Sequence, residues 1–306
     1  MHTPIHFALI GCGNIATEHA TQITRVGILV AVVDTNLAKA KKMGDQYGVP
    51  FFETSSALYT SVQKLDVVVI ATPNGLHAEQ AIEAMQAGYH VLVEKPIALT
   101  GAAIQQMQSV ANQTGKQIFS VMQNRFNPPV KLIHELLQQK VLGNIDHVQI
   151  NCFWHRPASY YTNSWHGTMA LDGGTLFTQF SHFIDLLCWL FGKVNTAEGQ
   201  FKNRNHQGLI EFEDEGHIQL EFESGIKASM DYSVNEPSVN REGSLTIFSS
   251  KGIVKAGGSY LNILEFEVDD VELASTLQIQ LDTINKEQFS ANDYGQYITL
   301  TKKLKD

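Results

Sequence analysis

The sequence predicts an α/β domain with a parallel sheet over residues 1–122, followed over residues 123–306 by an α+β domain with a large, mostly antiparallel open sheet. Three observations lead there. At 306 residues the chain is about twice the usual domain length, so two cores are expected. Its first third alternates short apolar runs with amphipathic stretches, the pattern of βαβ units. Its last half is dominated by strand patterns that follow one another, interrupted by one apolar helix.

In the first part the expected strands are residues 5–10 (IHFALI), 28–34, 49–52, 66–71, 90–95 and 117–122. Their Val- and Ile-rich runs predict strands covered on both faces. Between them, Leu37, Ala40, Met43 and Tyr47 share one helical face, and Ala81, Ile82 and Met85 share another. A further helix starts at Thr100, whose hydroxyl can cap it, and ends near Gly115. After Gln123, NRFNPP breaks the chain, and a helix with Ile133, Leu136 and Leu137 inward follows. Residues 217–222 and 226–234 alternate strictly, with Ile226, Ala228, Met230 and Tyr232 on one face and Lys227, Ser229, Asp231 and Ser233 on the other. Further strands are expected at 146–154, 195–202, 207–213, 243–249, 252–256 and 261–268, and an apolar helix at 181–192.

Composition narrows the function classes. The net charge of −9 disfavours nucleic acid, which needs a basic face. No apolar run is long enough to span a bilayer, and MHTPIHFALIGCG passes straight into a strand, which predicts a cytoplasmic protein with no membrane partner. Cys12, Cys152 and Cys188 lack CxxC spacing, so no disulfide framework or metal site is expected, and all three read as small core residues.

The loop Gly11-Cys12-Gly13-Asn14-Ile15-Ala16 follows the first strand and opens a helix. Gly11 can make the tight turn, Gly13 lets a pyrophosphate approach the backbone, and Ala16 allows close helix–strand packing, as in a Rossmann dinucleotide site. Asp34 ends the second strand, 18 residues past Ala16, where a carboxylate accepts hydrogen bonds from ribose hydroxyls and repels a 2′-phosphate; Thr35 and Asn36 follow, with no arginine. NAD rather than NADP is therefore expected. A GxGxxG-like string alone would be weak, and Asp34 alone would fit a helix cap, but the spacing of the two together favours the cofactor.

Two more segments lie at carboxyl ends of parallel strands, where open α/β sheets bind ligands: ATPNGLH (71–77) and VEKP (93–96). They add Thr72, Pro73, Asn74, His77, Glu94 and Lys95 to the cofactor candidates. With GCGNIA before and DGGTLFTQFSHFIDLLCWLFG (172–192) after, this order resembles the glucose-fructose oxidoreductase/inositol dehydrogenase (Gfo/Idh/MocA) family over nearly the whole chain. The resemblance implies a Rossmann domain and an open-sheet domain whose exposed face makes homodimers or homotetramers. It implies that Lys95 lies beside the nicotinamide and the sugar hydroxyl, and that His182 is its partner on the later helix. Thr178 stands where the family usually has Asp or Asn, which leaves the second acid/base group open. Oxidising a secondary alcohol requires a base for the hydroxyl proton. Histidine titrates near neutrality unaided, whereas lysine needs burial or a nearby cation. His182 is read as the base and Lys95 as the group that polarises the hydroxyl, with the reverse assignment nearly equal. The family usually continues into a longer C-terminal helical stretch, and this chain stops at YGQYITLTKKLKD.

Residues 153–174 are crowded with aromatics and polar tips, a composition suited to a sugar pocket or to interface packing. The pattern RPxSYY…WHGT…DGGT…TQxxHxIDLLxWLxG resembles the nucleotide-sugar branch of the family, the UDP-N-acetylglucosamine and UDP-N-acetylglucosaminuronate 3-dehydrogenases. Arg125 and Arg156 are then candidates for a diphosphate or uronate carboxylate, equally well read as structural ion pairs. Tyr160, Tyr161, Trp165, His166 and Gln179 complete the substrate candidates. The other readings are an inositol or simple-sugar dehydrogenase, a glycosidase that uses NAD transiently, and a non-catalytic NAD-responsive regulator.

Overall fold

The computed structural model describes residues 4–287 and 300–303. They pack as two compact units: residues 4–121 with Thr168–Gly173, and Met122–Gly167 with the chain from Gly174 onward.

In the first unit β1 (His6–Ile10), β2 (Ile28–Val33), β3 (Phe51–Phe52), β4 (Val67–Ile70), β5 (His90–Val93) and β6 (Ile118–Ser120) form one sheet in the order β3-β2-β1-β4-β5-β6. Every pairing is parallel. Helices α1 (Ala16–Val26), α2 (Leu37–Tyr47), α3 (Ser55–Ser61), α4 (His77–Gln86) and α5 (Gly101–Thr114) cover it. The Val/Ile runs are buried on both faces: Leu9 and Val69 pack with Ala20, Ile23 and Met43, whereas Ala8, Ile10, Val68 and Ile70 pack with Ala84, Met85 and Met107.

Local chemistry sets the element ends. Thr100 Oγ1 accepts from Ala103 N at 3.1 Å to start α5, and Gly115 ends it in the left-handed region. The strand expected at 49–52 shrinks to two residues because Val49 N donates back to Gly44 O and Pro50 has no N–H to offer a ladder. Ala40 and Met43 of α2 are buried as expected, but Leu37 in its first turn is 48% exposed.

The second unit begins with α6 (Pro128–Gln138), β7 (Ile145–Phe153), the short α7 (Ala158–Tyr161) and α8 (Thr175–Thr178), then α9 (Ser181–Phe191). Strands β8 (Val194–Lys202), β9 (Glu215–Phe222), β10 (Lys227–Ser233), β11 (Glu242–Ser249), β12 (Gly252–Gly257) and β13 (Ile263–Val268) follow, then α10 (Val271–Glu287) and β14 (Leu300–Lys303). Among the described residues the sheet has eight strands in the order β14-β13-β12-β11-β7-β10-β9-β8. It is antiparallel except for β7 with β10 and β13 with β14. The remainder of the terminal YGQYITLTKKLKD run lies outside the described residues.

One face of this sheet is apolar. Ala228, Met230 and Tyr232 point into a core with Val130, Ile133 and Leu136 of α6, Phe183, Leu186 and Leu187 of α9, and Leu277 of α10. The other face is polar and self-bonded, with His147 bonded to Ser229 Oγ and His217 to Asp231.

Two sequence expectations change. Residues 207–213 are not a strand: the buried Asp214 carboxylate gathers the N–H groups of Arg204, Asn205 and His206 into a loop, and the N–H groups of Leu209 and Ile210 then turn back to His206 O. Cys188 is exposed on α9 rather than in the core, whereas Cys12 and Cys152 are buried. Among the described residues no helix is long and apolar enough to cross a membrane.

Candidate active site

The glycine loop follows β1 directly. Gly11 has φ +95°, and a Cβ there would lie 2.5 Å from Ala71 O, so both the turn and the approach to β4 require glycine. A Cβ on Gly13 would meet nothing within 4 Å, which leaves room for a ligand to reach the backbone. Ala16 is fully buried, Asn14 and Ile15 are exposed, and no side chain caps the start of α1. No side chain therefore competes with a phosphate for the start of this helix. Asp34 accepts from Cys12 N at 2.8 Å and from Asn36 N at 2.7 Å, which ties the end of β2 to the loop. Asn36, not Asp34, caps α2, through Ala38 N and Lys39 N. Dinucleotide phosphates at Gly13 and a ribose at Asp34 fit these residues.

At the end of β4, Thr72 and Pro73 are half-buried, whereas Asn74 is 5% and His77 0% exposed. His77 places Nδ1 2.7 Å from Pro96 O and Nε2 2.8 Å from Thr72 O, bridging the loops after β4 and β5. Burial pushes its pKa down, against those two carbonyls and the Glu94 charge. Asn74 Nδ2 donates to Asp172 O at 2.8 Å, and Gly75 N donates to Leu171 O at 3.0 Å. Asn74 and His77 thus hold the loop in shape. A Cβ on Gly75 would lie 2.1 Å from the backbone oxygen of Ala170, so the 168–173 segment sits on this loop only because residue 75 is glycine.

Glu94 and Lys95 follow β5. Glu94 is buried, with Oε1 2.8 Å from His19 Nε2 and Oε2 accepting from Lys95 N at 3.0 Å. Burial opposes its ionisation, but the His19 bond and the charge and N–H of Lys95 outweigh it and hold the carboxyl below its usual range. Lys95 is half-buried. His19 escapes sequence reading because nothing local relates it to a partner 75 residues away.

In the second unit His182 is buried in the first turn of α9, and Thr178 is half-buried at the end of α8. The two arginines differ. Arg125 donates through Nε and Nη2 to both oxygens of Asp185, at 2.7 and 2.5 Å, and lies over Trp189, so it is already neutralised. Arg156 lies over Trp154 and Tyr160, with ring distances of 5.1 and 5.4 Å. Its hydrogen-bond partners are all neutral: Gln179 Oε1, His155 O and Asn240 Oδ1. Gln179 passes the contact on to Tyr160 OH at 3.0 Å. Tyr160 packs against Tyr161 and His166, and Trp165 stacks on His166 at 3.9 Å. Tyr161 is 4% exposed and packs on His206, which makes it a support for the cluster. Trp154 and Asn240 were not singled out by the sequence; only their contacts with Arg156 reveal them.

Comparison with known proteins follows the same two units. A model described as the oxidoreductase family, NAD-binding Rossmann fold, matches residues 5–122, and one for the GFO/IDH/MocA C-terminal domain matches residues 130–255. The solved WlbA dehydrogenase from Bordetella pertussis, in complex with NADH and UDP-GlcNAcA, is 33% identical, with 94% of this chain and 84% of that chain covered and a TM-score of 0.84. The WlbA dehydrogenase from Chromobacterium violaceum, with the same two ligands, is 32% identical, with 93% and 84% covered and a TM-score of 0.83. The D-glucoside 3-dehydrogenase of Escherichia coli is 26% identical over 296 residues, 88% of this chain and 84% of its own length. With both halves matched in order and the dinucleotide loop built as that chemistry needs, the chain belongs to the GFO/IDH/MocA family of NAD-dependent oxidoreductases acting on CH–OH groups.

Proposed function

We propose that this enzyme oxidises a secondary hydroxyl of a sugar, at C3 of a UDP-N-acetylhexosamine or its uronate. The observation that carries the anionic substrate is Arg156: among the described residues it has no carboxylate partner, yet aromatic rings and Gln179 hold its guanidinium in place. A fixed, uncompensated guanidinium suits a carboxylate or diphosphate. Arg125, already paired with Asp185, is assigned a structural role. The likeness to two dehydrogenases solved with UDP-GlcNAcA supports the same substrate class.

Bound NAD supplies the hydride acceptor. Residues of this chain then deal with the oxygen and its proton. As the carbon loses hydride, the hydroxyl must lose a proton, and His182 takes it. Lys95, as an ammonium, donates a hydrogen bond to the same oxygen and stabilises the charge that develops there. Thr178 has a hydroxyl too weakly acidic to exchange protons near neutrality, so it orients the substrate. Asp34 selects NAD by accepting from the ribose hydroxyls. The polar face of the large sheet, with a groove lined by His147, Gln219, Lys227 and Ser229, is the surface through which copies assemble.

The test is NADH formation by the purified chain with NAD and UDP-N-acetylglucosamine, its uronate, inositol or simple glycosides, with and without 2-oxoglutarate as a second substrate. Turnover of a UDP-sugar is expected. Turnover confined to simple glycosides would favour the second reading, which the likeness to the D-glucoside 3-dehydrogenase supports. Silence with every compound despite NAD binding would overturn both.

A further inference from the structure

We infer that His19 is a positioning residue for Lys95, acting through Glu94. The inference rests on the reading of Lys95 as a lysine of the reaction. His19 lies within the first turn of α1, the helix opened by the dinucleotide loop. Its Nε2 is 2.8 Å from Glu94 Oε1, and the two side chains are 13% and 10% exposed. Glu94 Oε2 accepts from Lys95 N at 3.0 Å, and Glu94 N donates to Ile70 O at 2.9 Å.

The buried carboxylate is therefore held by α1 and by the backbone of Lys95, while the Glu94 main chain is fixed to the end of β4. A carboxylate has only acceptor oxygens, so His19 Nε2 carries the proton of this bond. Bonds to a buried charge are the strong kind, and losing one leaves the charge underbonded. Without His19, Oε1 would have to turn toward another donor. Oε2 would turn with it, because the carboxylate is planar and rigid. The Lys95 N–H would then lose its acceptor, and the backbone carrying the reactive amine would lose its fixed orientation. A misplacement of about 1 Å at a reacting group is enough to cost roughly a hundredfold in rate. The same link joins the first turn of α1, after the glycine loop, to the backbone of Lys95. The position of His19 on α1 gives it this role without direct contact with substrate.

The test compares the full chain with His19→Ala and with His19→Gln, whose amide nitrogen can replace Nε2 as donor. Amide hydrogen exchange at Lys95 should be about tenfold faster in His19→Ala, with β1 and β4 protected as before, and should return to wild type in His19→Gln. In turnover, His19→Ala should lower kcat about tenfold or more while the sugar KM and NADH affinity stay within about threefold, and His19→Gln should recover most of it. Should His19→Ala fail to fold, Glu94→Gln weakens the link from the other end and should show the same exchange and kcat changes. Unchanged Lys95 exchange and kcat in His19→Ala would overturn the inference, as would a His19→Gln protein that folds but behaves like Ala. Lys95→Met keeps the two ideas apart. Full turnover in Lys95→Met removes the catalytic reading of Lys95, and with it a catalytic role for His19, while exchange still decides the structural link.

Discussion

At the scale of single residues, the proposed cofactor selection and proton transfer each make a measurable claim. Asp34 is joined to the loop by Cys12 N and to the start of α2 by Asn36 N, so its removal costs loop order and, in the proposed function, a ribose acceptor. Asp34→Ser should weaken NADH binding about tenfold or more, as expected for hydrogen bonds to a charged group, and relax discrimination against NADPH, read by fluorescence titration. His182→Ala should lower kcat about a hundredfold or more with NADH affinity spared; full activity would remove His182 from the proposed mechanism. His77 gives a stability signature. Its folded pKa is depressed by burial, so the unfolded chain binds the extra proton first as pH falls. Stability should therefore decline as pH drops below about 6.5, the ordinary histidine value, and His77→Gln should flatten that slope in urea unfolding. The sequence proposes Lys95 and His182 through the family resemblance and Asp34 through its spacing from the glycine loop. His19 is not legible there, because its partner is made by the fold.

Elements position these residues, and their ends were harder to read than their centres. α5 began and ended where Thr100 and Gly115 predicted, because cap and stop are local signals. Residues 207–213 had a strand's composition, yet the Asp214 carboxylate claims the neighbouring N–H groups and a loop results. The clasp between the loop after β4 and the 168–173 segment was equally hidden, since it joins residues 98 positions apart. Gly75→Ala would press a Cβ against Ala170 O and should cost about 1–3 kcal/mol by urea denaturation, the usual range for overpacking. The two arginines should separate at this scale. Arg125→Met leaves the Asp185 charge on α9 without its fork, and should lower stability by about 1–3 kcal/mol with little change in substrate KM. Arg156→Met should instead raise KM for an anionic sugar about tenfold or more. Equal effects on KM would return Arg125 to the substrate site.

At the scale of the whole molecule, the large sheet has one face under α6, α9 and α10 and one face of His, Ser, Asp and Gln side chains bonded to each other. Sedimentation should show a dimer or tetramer, and Ser229→Arg, which places a long cation in the groove beside Lys227, should dissociate it. A monomeric wild type would remove that surface from the proposal. The two-unit plan, the parallel and mostly antiparallel sheets, the dinucleotide loop and the choice of NAD were all determined by the sequence itself. Periodicity and glycine spacing act over a few residues, and so they can be read along the chain. The tertiary structure alone decided that the 168–173 segment packs with the first unit, that among the described residues Arg125 has a carboxylate partner and Arg156 has none, and that Glu94 is shared between His19 and Lys95. Those outcomes depend on which distant groups reach a buried charge or a bare glycine first, and only packing settles that competition.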